Sequence, residues 1–133
     1  MKKDGKSPNF QGEKNAGASP GSEANLDVQY MSAVSGGVPT EVWSFGGMSP
    51  DTPAINEPFL EFVTYLNALE NVPSVVSTSY GEDEGSTSLA YAVRVQYEFG
   101  VAALRGVSLV FASGDSGCAS TRGACDHFYA QSG

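Results

Sequence analysis

Residues 107–112, VSLVFA, form a nearly unbroken apolar run directly after Gly106. A strand apolar on both sides is buried on both faces, and such strands belong to parallel sheets covered by helices. Parallel neighbours need long crossovers, and the chain supplies them. PTEVWSF (39–45) and SVVSTS (74–79) read as two further strands from their β-branched and aromatic content. Between them, Asn56 is placed to cap a helix with Pro58 in its first turn. Phe59, Phe62, Val63, Leu66 and Leu69 follow at helical spacing. A longer helix spans about residues 87–105 and closes at Gly106, and an earlier one starts near Ser22 and stops at Gly36-Gly37. Strands alternating with such helices predict parallel pairing, right-handed crossovers and an α/β domain. Three strands make a thin sheet, the expectation for a piece of something larger. Residues 1–21 are polar, without periodicity, and read as a loop or disordered lead-in ahead of a domain over 22–133.

Charge narrows the partners. Seven Lys and Arg against fifteen Asp and Glu give a net charge of −8. That balance argues against nucleic acid or an anionic membrane surface. No apolar run approaches the length of a membrane span. The start, MKKDGKSPNF, has lysines but no apolar stretch behind them, so it is not a complete signal peptide. Cys118 and Cys125 could pair as a small local disulfide in an oxidising compartment. With His127 they also offer a metal cluster on paper, but a zinc site asks for four ligands.

Two acids stand out on the first helix, in GSEANLDVQY (21–30). Glu23 and Asp27 are four residues apart, where like charges repel and weaken an isolated helix. With Glu23 at zero and about 100° per residue, Asp27, Tyr30, Met31 and Val34 fall within a sector from about −20° to 80°. Asn25, Gln29 and Ser32 lie on the other side. The expectation is therefore that both carboxylates extend an apolar stripe and face the protein body. Two inward carboxylates in contact share a proton or titrate apart, which is how acid–base sites are built. The plainer alternative is a helix-start acid beside a second, structural one.

A third acid lies in FASGDSGCAS (111–120). Ligands of doubly wound sheets bind outside the carboxyl ends of the strands, and Asp115 follows the most apolar strand there. Gly-Asp-Ser-Gly is also good turn chemistry by itself. The same four residues occur around the nucleophile of trypsin-like proteases, which would make Ser116 the nucleophile. Those enzymes are antiparallel barrels whose His precedes the serine, whereas His127 follows it.

EANLDVQY, STSYG and FASGDSG, in this order and with a long helix between the last two, resemble the sedolisin family of serine-carboxyl peptidases. The resemblance runs from about residue 20 to residue 120. It implies a subtilisin-like fold, of which this chain would hold part: a parallel sheet flanked by helices. It implies that Glu23 activates a catalytic serine, that Asp27 supports Glu23, and that Asp115 donates to the oxyanion. Ser79, Tyr80 and Gly81 match the segment that pairs with the substrate backbone as an added strand. The substrate is a peptide or protein, the family binds calcium, and it works in lysosomes or outside the cell. Acid operation fits the chemistry, because a His base is mostly protonated below about pH 6 while a glutamate is still ionised.

The pattern is incomplete. The family serine lies in a Gly-Thr-Ser box, which is absent here, and the calcium ligands belong to the same later region. The expectation is no peptidase activity from these residues alone, and uncovered apolar surface and strand edges. Two other readings compete. One is a small α/β binding module in which Asp115 and the acid pair hold a cation, which needs about five strands and a clustered acid pocket. The other is a non-catalytic interaction fragment.

Overall fold

The computed structural model describes residues 9–12, 21–45, 57–82 and 86–115. The chain divides into two compact units, residues 1–46 and 47–133.

In the second unit, two helices pack on a short sheet. Helix α2 (Phe59–Ala68) buries Phe62, Val63 and Leu66, the i, i+1, i+4 pattern of a single helix face. Helix α3 (Leu89–Leu104) buries Tyr91, Val95, Glu98 and Ala102, again one face. The two faces meet, and with Val107 they form the core. Helix α2 follows an N-cap at Pro58 with no side-chain cap, so Pro58 precedes its first turn, and Asn56 lies outside the described residues. Both ends of α3 are chemically finished. The Ser88 hydroxyl caps α3 by accepting from the Tyr91 N–H at 3.2 Å. At the other end Gly106 takes φ +83°, a left-handed conformation that suits glycine. Its N–H donates to the Ala103 carbonyl, and the Val107 N–H donates to the Ala102 carbonyl at 3.1 Å. This paired closure brings the buried Val107 back under the helix.

Arg105 then closes the neighbouring helix as well. Its guanidinium donates to the carbonyls of Asn67 at 2.7 Å, Leu69 at 2.5 Å, Leu66 at 3.3 Å and Glu70 at 3.5 Å. A cation at the carboxyl end of α2 satisfies otherwise unpaired carbonyls and complements the helix dipole.

Strand β3 (Val75–Thr78) pairs in parallel with β4 (Ser108–Phe111), Val75 opposite Ser108 and Thr78 opposite Phe111. The connection from β3 through α3 to β4 is the expected crossover. Phe111 packs edge-on against Phe59 of α2 at 5.9 Å and against Phe99 of α3 at 5.3 Å. Residues paired across a parallel ladder share a face, so Val76, Thr78, Leu109 and Phe111 point to the helices. The opposite face carries Val75 and Val110, which are 61% and 52% exposed. The apolar run at 107–112 was expected to be buried on both faces. It is covered on one, because within this unit both helices lie on the same side of a two-stranded sheet.

In the first unit the segment read as a lead-in contributes a strand. Strand β1 (Asn9–Gly12) pairs in parallel with β2 (Glu41–Ser44), Asn9 opposite Glu41. NFQG has no alternating apolar pattern, and the strand exists through its backbone ladder with β2. Helix α1 (Ser22–Val34) connects the two. Its N-cap is Gly21 rather than Ser22, with no side-chain cap, and the chain leaves through Gly36 and Gly37 at φ +62° and +96°. Among the described residues the α/β class with parallel pairing is thus observed, with one two-stranded sheet in each unit.

Candidate active site

Glu23 lies in the first turn of α1, where the helix dipole favours a negative charge. Asp27 is one turn further along the same line, with side chains about 5–6 Å apart at their Cβ atoms. The structure therefore brings these two together on one helix. It does not turn them inward. Glu23 is exposed and Asp27 half-buried, and α1 contains no buried residue. Tyr30 and Val34, assigned to the inward stripe, are 68% and 79% exposed, and Met31 is exposed too. The reason can be read from the helix itself. Leu26 lies about 60° before Glu23 and Val28 about 140° beyond it, so apolar residues surround α1 instead of marking one face. The opposite side carries a polar link, Gln29 donating to Asn25 at 2.8 Å.

The other candidates belong to the second unit. Ser79, Tyr80 and Gly81 leave the carboxyl end of β3, and Asp115 lies beyond the carboxyl end of β4. Because these strands are parallel neighbours, both segments emerge at the same end of one sheet. The Ala112 N–H donates to the Thr78 carbonyl at 3.0 Å, so the ladder persists to the point where the two segments depart. Gly114, at φ +78°, turns the chain just before Asp115, which is exposed. Ser79 is half-buried, while Tyr80 and Gly81 are exposed. This is the end of a parallel sheet at which α/β proteins bind ligands.

Behind that end is a polar network that no sequence pattern marks. The Glu82 carboxylate accepts the Glu57 backbone N–H through Oε1 and the Thr87 hydroxyl through Oε2, the latter at 3.1 Å. The Tyr91 hydroxyl accepts from the Leu60 N–H at 3.2 Å and donates to the Glu57 carbonyl at 3.4 Å. Glu82 belongs to the acidic run GEDE, in which no residue is distinguished by type or spacing. Only the tertiary approach of α2 separates it from its neighbours.

Ser116, Cys118, Cys125 and His127 lie outside the described residues. Among the described residues no three of His, Cys, Asp and Glu stand together as a metal site, and no helix is long and apolar enough to cross a membrane. The cation-holding module required such a cluster.

No family model matches this chain. It is similar, however, to proteins named tripeptidyl-peptidase 1. Identity is 45% over 97 residues with the protein of Canis lupus familiaris, 73% of this chain and 16% of that relative. It is 43% over 103 residues with the protein of Dictyostelium discoideum, 77% and 16% respectively. For the Homo sapiens protein it is 45% over 97 residues. The chain thus spans about 16% of the length of these relatives.

Proposed function

This chain is related over most of its length to a segment of tripeptidyl-peptidase 1, a sedolisin-family peptidase, and on that footing we propose that it carries part of a proteolytic site. In this reading Glu23 is the general base that takes the proton of a serine supplied from outside the described residues. Asp27 stabilises Glu23 from one turn along α1. Asp115, protonated, donates a hydrogen bond to the oxyanion that forms on the scissile carbonyl. Ser79, Tyr80 and Gly81 offer their backbone to an extended peptide as an added strand.

The observation that carries the proposal is the 43–45% identity to peptidases. The geometry supports it in two ways. Helix α1 holds two carboxylates one turn apart on one line of the helix. The carboxyl end of the β3–β4 sheet presents the Ser79–Gly81 segment and the acid Asp115 at one end of one parallel sheet, where a substrate backbone and an oxyanion donor can be brought together. A Glu–Asp pair, unlike a His–Asp pair, keeps its base ionised at acid pH, which suits peptide hydrolysis in an acidic setting. The resemblance implies that this setting lies in lysosomes or outside the cell. Calcium, which the resemblance implies, is assigned to no residue here: the described part holds no cluster of carboxylates to receive it.

The test uses the product of the complete reading frame that contains this chain. It is assayed across acid pH with an internally quenched octapeptide bearing a free amino terminus. Glu23→Ala is expected to abolish hydrolysis. Asp115→Ala, which removes one oxyanion donor, is expected to lower kcat by about 10² to 10³-fold. Full activity in Glu23→Ala removes the base from the proposal.

A further inference from the structure

We propose that Glu82 is a positioning residue, holding the Ser79–Gly81 backbone in place for the peptide chain that pairs with it; this rests on reading those three residues as the substrate strand. Glu82 follows Gly81 directly, and its carboxylate reaches two remote points. One oxygen accepts the backbone N–H of Glu57, just ahead of α2, and the other accepts the hydroxyl of Thr87, just ahead of α3. Bonds to an ionised acceptor are the stronger kind, and a carboxylate can hold both donors at once. Tyr91 repeats the link from α3 to the same stretch, through the Glu57 carbonyl and the Leu60 N–H. The start of α2 is thus held by two side chains, Glu82 from the loop after β3 and Tyr91 from α3.

On its other side the segment is held by the sheet, where the Thr78 carbonyl accepts the Ala112 N–H. Tyr80 and Gly81 are exposed, yet the chain is fastened immediately before and immediately after Ser79–Gly81. A backbone already fastened at both ends gives up little freedom when a peptide docks on it. Glycine at 81 would otherwise let the strand wander, since it is the residue with most backbone freedom to lose. A carboxylate at the next position, clamped to two helix starts, opposes that freedom where it is greatest.

The test compares E82A, E82Q and T87V in the product of the complete reading frame. The readouts are steady-state kinetics on the internally quenched octapeptide and hydrogen exchange at the amides of Ser79–Gly81. E82A is expected to raise KM about tenfold with kcat within about twofold, and to speed exchange at Tyr80 and Gly81. E82Q keeps an acceptor for Glu57 and a partner for Thr87, and is expected to restore most of both. T87V removes the hydroxyl that donates to Glu82 while leaving the carboxylate in place, and shifts both readouts less, in the same direction, so a misfolded E82A does not shelter the proposal. Unchanged KM and exchange in E82A and T87V overturn it. Loss of kcat at constant KM overturns it too, because Glu82 would then act in the chemical step. Absence of hydrolysis by the unsubstituted protein sinks the peptidase reading instead, and exchange at 79–81 alone then decides whether Glu82 holds the segment.

Discussion

Helices α1 and α3 do the same topological task, each linking two parallel strands, and they are built in opposite ways. Helix α3 has a hydroxyl cap, a left-handed glycine closure and a buried face met by α2. Helix α1 has an uncapped glycine start and no buried residue. Each carries leucine, valine and tyrosine. The difference is that, among the described residues, α3 has a partner helix in its own unit and α1 does not. Apolar content makes a helix able to pack, and only a second surface makes it packed.

The strongest way to break this comparison is to empty the packed side. Leu66 is fully buried, and Leu66→Ala is expected to cost about 2–5 kcal/mol, read from the denaturant midpoint of the second unit. Arg105→Ala comes next. It strands the carbonyls at the end of α2, and a loss of about 1–3 kcal/mol is expected in the same measurement. Ser88→Ala removes the cap of α3 and is expected to cost about 1 kcal/mol. On the other helix, Val34→Ala is expected to stay within about 0.5 kcal/mol, since the side chain is already in solvent. A cost as large as that of Leu66→Ala would mean that α1 is packed after all. The smallest effect sharpens the contrast from the other direction. A Cβ at Gly21 meets nothing within 4 Å, and its backbone is extended, so Gly21→Asn is expected to stabilise α1 by only a few tenths of a kcal/mol, visible as slower amide exchange in its first turn.

The same contrast explains what could be read from the amino-acid sequence. In α2 the spacing of Phe62, Val63 and Leu66 identified the buried face, because the apolar residues there are concentrated on one side. The closing glycine at 106 and the parallel pairing of β3 with β4 were equally legible, one from backbone chemistry and one from the length of the crossover. In α1 the stripe chosen around Glu23 and Asp27 left out Leu26 and Val28, and no helical wheel says which of several apolar sides will meet something. Strand β1 escaped notice because four residues paired through their backbone carry no side-chain pattern. Burial of β4 on both faces was inferred from composition, yet coverage depends on how many helices arrive and on which side.

The candidate site divides along the same line. Glu23, Asp27 and Asp115 were distinguished by their place in short motifs, and Ser79–Gly81 by theirs. Glu82 has no such signature, since the Glu57 N–H and the Thr87 hydroxyl that it accepts come from positions 25 and 5 residues away. A residue that acts by joining distant backbone is written in the fold, not in its neighbourhood.

Helix α2 is ten residues long, and both of its ends are gripped by groups belonging to the loop and helix that follow β3. Glu82 and Tyr91 take the start, and Arg105 takes the finish. Helix α3 therefore works as a ruler for α2. One residue inserted into α2 would turn its far end by about 100° and carry it about 1.5 Å onward. Either the Arg105 grip or the grip on Glu57 must then let go. Related chains should tolerate changes of residue along the outer side of this helix far more readily than any change in its length.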